Sequence, residues 1–281
     1  MALTGVVELF RGRPHHGLGD DGRMALSDHL RELRARVLKS VTVILIGTIV
    51  ALFFFDQIFA LILKPYEDAQ SALVGSDVNT TATINGAGGP LMLHLKLCGV
   101  AAVVLTSPYW LYQIWAFILP GLHDTERKWS RIFAAIAGPL FFAGVATGWY
   151  VMPKAIEVLI GFTPTDVTNL VEFGRFFSFI TRMMLVFGIA FEIPLFVVML
   201  NLAGVVTGKQ LGRYRPWIII FTFVFAAVAT PSTDPFSMLF LAVPMLVLFG
   251  IAEVIARLAD RARGRGEHST EKWDDDEASV L

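Results

Sequence analysis

The sequence is poor in charge and nearly free of cysteine. Of 281 residues, 17% are Asp, Glu, Lys or Arg, where soluble domains carry about 25%. Hydrophobic residues make up 55%, and mean hydropathy is +0.62. With glycine counted as apolar and tyrosine left out, the apolar share rises to about 62%, against about 45–50% in soluble domains. A soluble globule of this size could not bury so much apolar surface. The composition therefore specifies an integral membrane protein and excludes a disordered or collagen-like chain.

The other absences narrow the chemistry. The single cysteine, Cys98, excludes an internal disulfide and a cysteine-based zinc site. There is no Walker A loop, so no P-loop ATPase. His94 is the one histidine close to an apolar stretch, which removes haem ligation by paired intramembrane histidines. Ser-His-Asp sets, His-Glu-x-x-His and acidic metal clusters are all missing. We therefore expect no enzyme, no cofactor and no metal site. Residues 1–23 lack an apolar h-region and a small-residue cleavage site, so no cleavable signal peptide is expected, and Met24 is as good a start as Met1. No internal repeat is visible.

What is present is a set of six apolar stretches. Residues 40–63 form the first, with Asp56 as its one charge. Twenty-four helical residues reach about 36 Å, enough for a hydrocarbon core of about 30 Å. The second, 97–119, is uncharged and contains Pro108, which removes a backbone hydrogen bond and should kink the helix. The third is 132–152. The fourth is 176–202, interrupted by Arg182 and Glu192. The fifth, 217–230, and the sixth, 236–252, reach only about 21 and 26 Å as helices.

Charge distribution decides whether the fifth stretch crosses. The N-terminal segment, the loops after spans two and four, and the C-terminal tail together hold eighteen Lys and Arg, while the alternate loops hold three. That asymmetry places both termini in the cytoplasm and requires an even number of spans. Trp129 and Trp217 fall at inner edges, and Trp149 and Tyr150 at an outer edge, as interfacial belts require. The expected fold is an all-α integral membrane protein of six transmembrane helices, two of them short. Residues 1–25 read as a disordered extension, 26–258 as the membrane domain, and 259–281 as a disordered tail with an acidic run at Asp274–Glu277.

Four motifs carry possible chemistry. In the first, Leu26, Leu30, Leu33 and Val37 share one helix face, with Ser27 as a cap. This helix is expected to lie on the inner membrane surface, either as a simple anchor with Glu32 paired to Arg36 at i+4 or with Glu32 in a binding role. The second is Ser107-Pro108-Tyr109-Trp110-Leu111-Tyr112-Gln113-Ile114-Trp115-Ala116-Phe117, followed by Glu126-Arg127. Glu126 is either a solvated loop charge or a recognition group in a basic loop. The third is Phe187-Gly188-Ile189-Ala190-Phe191-Glu192-Ile193-Pro194. An intramembrane carboxyl is costly and by default functional, although a protonated Glu192 could also donate to backbone freed by Pro194. In the fourth, Thr230-Pro231-Ser232-Thr233-Asp234-Pro235, Asp234 and Pro235 read as the N-cap and first residue of the sixth helix.

At these blocks the chain resembles TatC, the core subunit of the twin-arginine protein translocase. The resemblance covers nearly all of 26–258. It rests on His29-Leu30-Arg31-Glu32-Leu33-Arg34, on Tyr112 to Phe117 with Glu126-Arg127, on Phe187 to Pro194, and on Thr230 to Phe236 with Pro244-Met245. The resemblance implies a glove-like, concave bundle that exports folded proteins bearing twin-arginine signal peptides. It implies that Glu32, Arg34 and Glu126 recognise the signal peptide at the cytoplasmic face. Glu192 would line the concave face. Pro65 would shape the first outer loop, and Thr230 and Asp234 would serve partner contacts. The implied partners are TatA- and TatB-type single-span subunits, with self-association in a receptor complex and no nucleic acid. The implied setting is the bacterial cytoplasmic membrane, with the proton-motive force as energy source. Gly250 departs from the acidic residue that the family often carries there, with Glu253 one turn on, and Met238 stands where some relatives are polar. The competing readings are a proton-coupled small-solute transporter built on Glu192 and Arg182, and a membrane anchor of a redox complex. The first would favour repeats and several midplane polar groups, and the second would need the haem ligands that are missing.

Overall fold

The computed structural model describes residues 26–72, 80–83, 88–118, 127–162, 169–230 and 235–263. Its first helix, α1 (Leu26–Leu52), is continuous, which corrects the expected split into a surface helix and a span at 40–63. Charges end the apolar run near Lys39 but supply no helix breaker. The polar side chains there bond back to their own helix, Ser40 Oγ to the Arg36 carbonyl at 3.0 Å and Thr42 Oγ1 to the Leu38 carbonyl at 2.8 Å. The helix breaks instead at Phe53 and Phe54, whose N–H groups donate to the Val50 and Ala51 carbonyls at 3.1 and 3.0 Å. These tight i→i−3 bonds close the last turn. α2 (Phe55–Ala72) follows, with Asp56 in its first turn, where the helix dipole favours a negative charge.

The outer loops contribute a feature that periodicity did not suggest. β1 (Thr80–Thr83) pairs in parallel with β2 (Asn169–Glu172), with Thr80 opposite Asn169 and Thr83 opposite Glu172. The membrane part itself is helical throughout the described residues.

The second span is α3 (Gly89–Leu105) followed by α4 (Ser107–Ile118), bent by 58°. Pro108 produces the expected kink. The indole Nε1 of Trp110 donates to the Val103 carbonyl at 2.8 Å, which satisfies an acceptor at the break. α5 (Arg127–Gly161) and α6 (Phe173–Leu202) have 35 and 30 residues and form the centre of the bundle. Their backbones nearly touch. A Cβ on Gly144 would lie 2.5 Å from the Phe187 carbonyl oxygen, and one on Gly188 would lie 2.7 Å from the Phe141 ring. Small residues permit this approach, and in lipid such close packing is what holds helices together. Phe141, Phe177, Ile180, Met183 and Phe187 fill the contact and are fully buried. α1 packs on α3 and α4.

α7 (Gly208–Arg213) is a single capped turn; Thr207 and Gln210 form a reciprocal capping box. α8 (Arg215–Ala229) has 15 residues, about 22 Å, and is the short span that the sequence predicts. It packs on α9 (Pro235–Ala262). α9 has 28 residues, so the short apolar stretch 236–252 belongs to a much longer helix. The helix also overruns the expected domain limit at 258: residues 259–262 are helical, and Asp260 is buried. Six passes result: α1, α3 with α4, α5, α6, α8 and α9.

Candidate functional site

The start of α1, the end of α4, the start of α8 and the end of α9 all lie on the basic side of the membrane. The first cluster joins α1 to α4. Glu32 accepts from Arg36 Nε at 2.9 Å and also from Arg36 Nη2. The i, i+4 spacing on one helix face makes this pair possible. Arg36 Nη1 in turn donates to the Gln113 Oε1 of α4 at 3.3 Å. One turn earlier, the His29 ring stacks on Phe117 with centroids 4.3 Å apart. Ala35 is buried in the same region. The two sequence blocks that begin at His29 and end at Phe117 therefore meet. Both Glu32 and Arg36 keep 21% of their side-chain surface exposed. Arg34 is exposed. Glu126 lies outside the described residues, and Arg127, which follows it, is the first residue of α5.

The second feature is Glu192 on α6. Both carboxyl oxygens are buried without a hydrogen-bond partner among the described residues, and so is the indole Nε1 of Trp115. The two side chains are neighbours, but not in hydrogen-bonding geometry. Trp115 is held between Phe133 and Phe196, with ring centroids 6.3 and 6.0 Å away. Arg182, on the same helix, is exposed. Among the described residues, nothing assembles it with Glu192 into a midplane polar site, as the small-solute transporter reading would need.

The remaining sequence-derived candidates separate. Pro65 sits inside α2, buried beside Tyr66; it belongs to an outer helix, where a loop position was expected. The N–H of Thr230, the C-cap of α8, donates to the Ala226 carbonyl at 3.0 Å, and the residue is buried. Asp234 lies outside the described residues.

Sequence reasoning missed most of a third cluster. Glu253 on α9 is buried and accepts from Arg215 Nε at 2.6 Å and Arg215 Nη2 at 2.8 Å. Arg257 Nε adds a bond of 2.8 Å from one turn along α9. One turn further on, Asp260 Oδ2 accepts from the Gly208 N–H at 2.6 Å, and Oδ1 accepts from Asn201 Nδ2 at 3.0 Å. Asn201 Nδ2 also donates to the Val206 carbonyl at 2.9 Å. These bonds fasten the 203–214 connection to the end of α9. Gly208 is required there, because a Cβ would fall 2.8 Å from the Arg257 backbone nitrogen and 2.9 Å from its Cα. The i, i+4 spacing of Glu253 and Arg257 is a signal that could have found one of these bonds. Nothing in the sequence signalled Arg215 or Asp260 as a partner.

Chemically, the first cluster can accept a guanidinium from outside, because among the described residues its carboxylate is held only by an arginine of its own helix. In the third cluster the carboxylates are buried and bonded, while the guanidiniums of Arg215 and Arg257 stay partly exposed. No group of His, Cys, Asp and Glu capable of holding a metal occurs among the described residues.

Comparison with known proteins agrees with this organisation. The family described as Sec-independent protein translocase protein (TatC) matches residues 28–244. The chain is 40% identical to the Sec-independent protein translocase protein TatC of Frankia casuarinae, over 93% of this chain and 74% of that protein. It is 36% identical to the protein of the same name from Corynebacterium kroppenstedtii, over 93% and 68%. A crystal structure of the twin arginine translocase receptor TatC in DDM superimposes with a TM-score of 0.68 at 30% identity, covering 81% of this chain and 99% of that one. A second crystal structure of that receptor gives a TM-score of 0.65 at 32% identity, over 83% and 100%. The chain belongs to the TatC family of Sec-independent protein translocase proteins.

Proposed function

We propose that this multi-pass, non-enzymatic translocase component is the subunit that reads the twin-arginine signal peptide and scaffolds the translocation site. The observation that carries the reading is the meeting of α1 and α4 at Glu32. A partly exposed carboxylate, paired with Arg36, which is itself held by Gln113, stands at the membrane surface where a signal peptide would arrive. Its local pair with Arg36 is of the kind that contributes only a few tenths of a kcal/mol. An incoming guanidinium can replace Arg36 at little cost and offer a bidentate fork that lysine lacks. Glu126, the residue just before α5 in the sequence, supplies the second carboxylate for the second arginine. Arg34 is the exposed neighbour that keeps the site selective for geometry and against simple positive charge.

Glu192 is the intramembrane working group of this reading. A carboxyl and an indole N–H buried side by side without partners are costly, and a polar group brought by a TatA- or TatB-type helix would satisfy both. Thr230 and Asp234, which bracket the segment between α8 and α9 in the sequence, serve partner contacts, and Pro65 shapes α2. The short α8 thins the bilayer locally and lowers the barrier to cargo passage; inserting four leucines into it should abolish export while assembly persists. The chain works in a bacterial cytoplasmic membrane and draws on the proton-motive force.

The direct test is photocrosslinking of a twin-arginine signal peptide to the full chain in membranes, with a twin-lysine peptide as control. The reading requires strong labelling by the first and weak labelling by the second. Equal labelling of both peptides would sink it.

A further inference from the structure

We propose that the groove between α8 and α9 holds one anionic phospholipid from the leaflet on the basic side, its acyl chain along Gly250 and its phosphate on Arg215 and Arg257. The groove has a volume of about 610 Å³ and is open to the membrane. Ile218 and Ile219 of α8 and Leu246 and Phe249 of α9 give it apolar walls. Gly250 stands at the wall with open space before it, since a Cβ there would meet nothing within 4 Å. At the basic end the lining changes to Arg215, Glu253 and Arg257.

The order of these groups is the order of an amphiphile. Depth in the membrane runs from hydrocarbon wall to paired cations, as a lipid runs from chain to phosphate. Along the groove lining the charges do not cancel. Glu253 is the one carboxylate there and is bonded to both guanidiniums, while Asp260 lies off the lining with its oxygens taken by Gly208 and Asn201, so the lining itself keeps one net positive charge. Arg215 and Arg257 have 62% and 48% of their side-chain surface exposed, and are therefore reachable by a headgroup. Guanidiniums fixed by a common carboxylate are pre-oriented donors for phosphate oxygens. Basic pockets between membrane helices on the cytoplasmic side are suited to such headgroups.

The test uses the purified full chain in nanodiscs, where lipid is the one available occupant. A phosphatidylglycerol with a photoactivatable acyl chain is compared with the matching phosphatidylcholine, and labelled peptides are mapped. The wild-type groove should label about fivefold more strongly with the anionic lipid, the worth of one net cation beside an anionic headgroup. Gly250→Phe, whose Cβ meets nothing within 4 Å and whose ring adds bulk at the groove, should remove labelling by both lipids. Arg257→Gln should remove the preference and leave the neutral-lipid level. Equal labelling of the wild type by the two lipids overturns the proposal. So does Gly250→Phe labelling at the wild-type level, a result that does not depend on whether Arg257→Gln folds. Absence of groove labelling in lipid-only nanodiscs also overturns it and leaves a protein helix as the occupant.

Discussion

Glu32 and Glu253 each accept from an arginine four residues along the same helix, Arg36 and Arg257. Beyond that they differ. Glu32 keeps about a fifth of its side chain exposed and receives no second cation among the described residues. Glu253 keeps 9% and receives Arg215 from another helix through two bonds. A pair within one helix turn costs little to open. A buried carboxylate that ties separate elements together is expensive to disturb. The same two residue types thus make a replaceable contact at α1 and a structural clamp at α9, and burial with sequence separation decides which.

Four substitutions probe that contrast, in falling order of effect. Gly208→Val drives a side chain into the α9 backbone at Arg257, where neither neighbour can yield. Overpacking of this kind costs about 3 kcal/mol, read as a lower melting temperature in detergent and reduced folded yield. Asp260→Ala orphans the buried Gly208 N–H and loosens Asn201. A cost of about 2 kcal/mol follows, with peptide binding per folded molecule unchanged. Glu32→Gln inverts the pattern: affinity for a twin-arginine peptide should fall about tenfold, or about 1.4 kcal/mol, while the melting temperature holds. Arg36→Gln removes the resident competitor and should tighten that peptide about twofold, the size of an exposed i, i+4 pair. A loss of peptide affinity in Asp260→Ala, or of stability in Glu32→Gln, would erase the distinction between the two regions.

Much of this was readable in advance wherever a local signal existed. Apolar runs placed α5 and α6, Pro108 placed the kink between α3 and α4, and charge asymmetry required α8 to cross. The i, i+4 spacing predicted the Glu32–Arg36 pair. What escaped lacked a local signal. The break at Phe53 and Phe54 lies in a uniformly apolar run, and hydropathy does not register a tightened turn. Charges near Lys39 end an apolar stretch without ending a helix, so α1 was divided in error. The β1–β2 ladder uses two four-residue strands far apart in the chain, too short for a period to show. Gln113 stood inside a recognised aromatic block, but its contact with Arg36 depends on how α4 meets α1. Asp260 was assigned to a charged, disordered tail, because a carboxylate that caps a loop through Gly208 cannot be told from a solvated one by composition.

The most direct test compares Glu32→Gln with Glu253→Gln, measuring twin-arginine peptide affinity and thermal melting on the same purified samples. Glu32→Gln should lose affinity with melting unchanged, and Glu253→Gln should melt lower with affinity per folded molecule unchanged. The opposite assignment, with peptide binding lost at Glu253 and stability lost at Glu32, would contradict this.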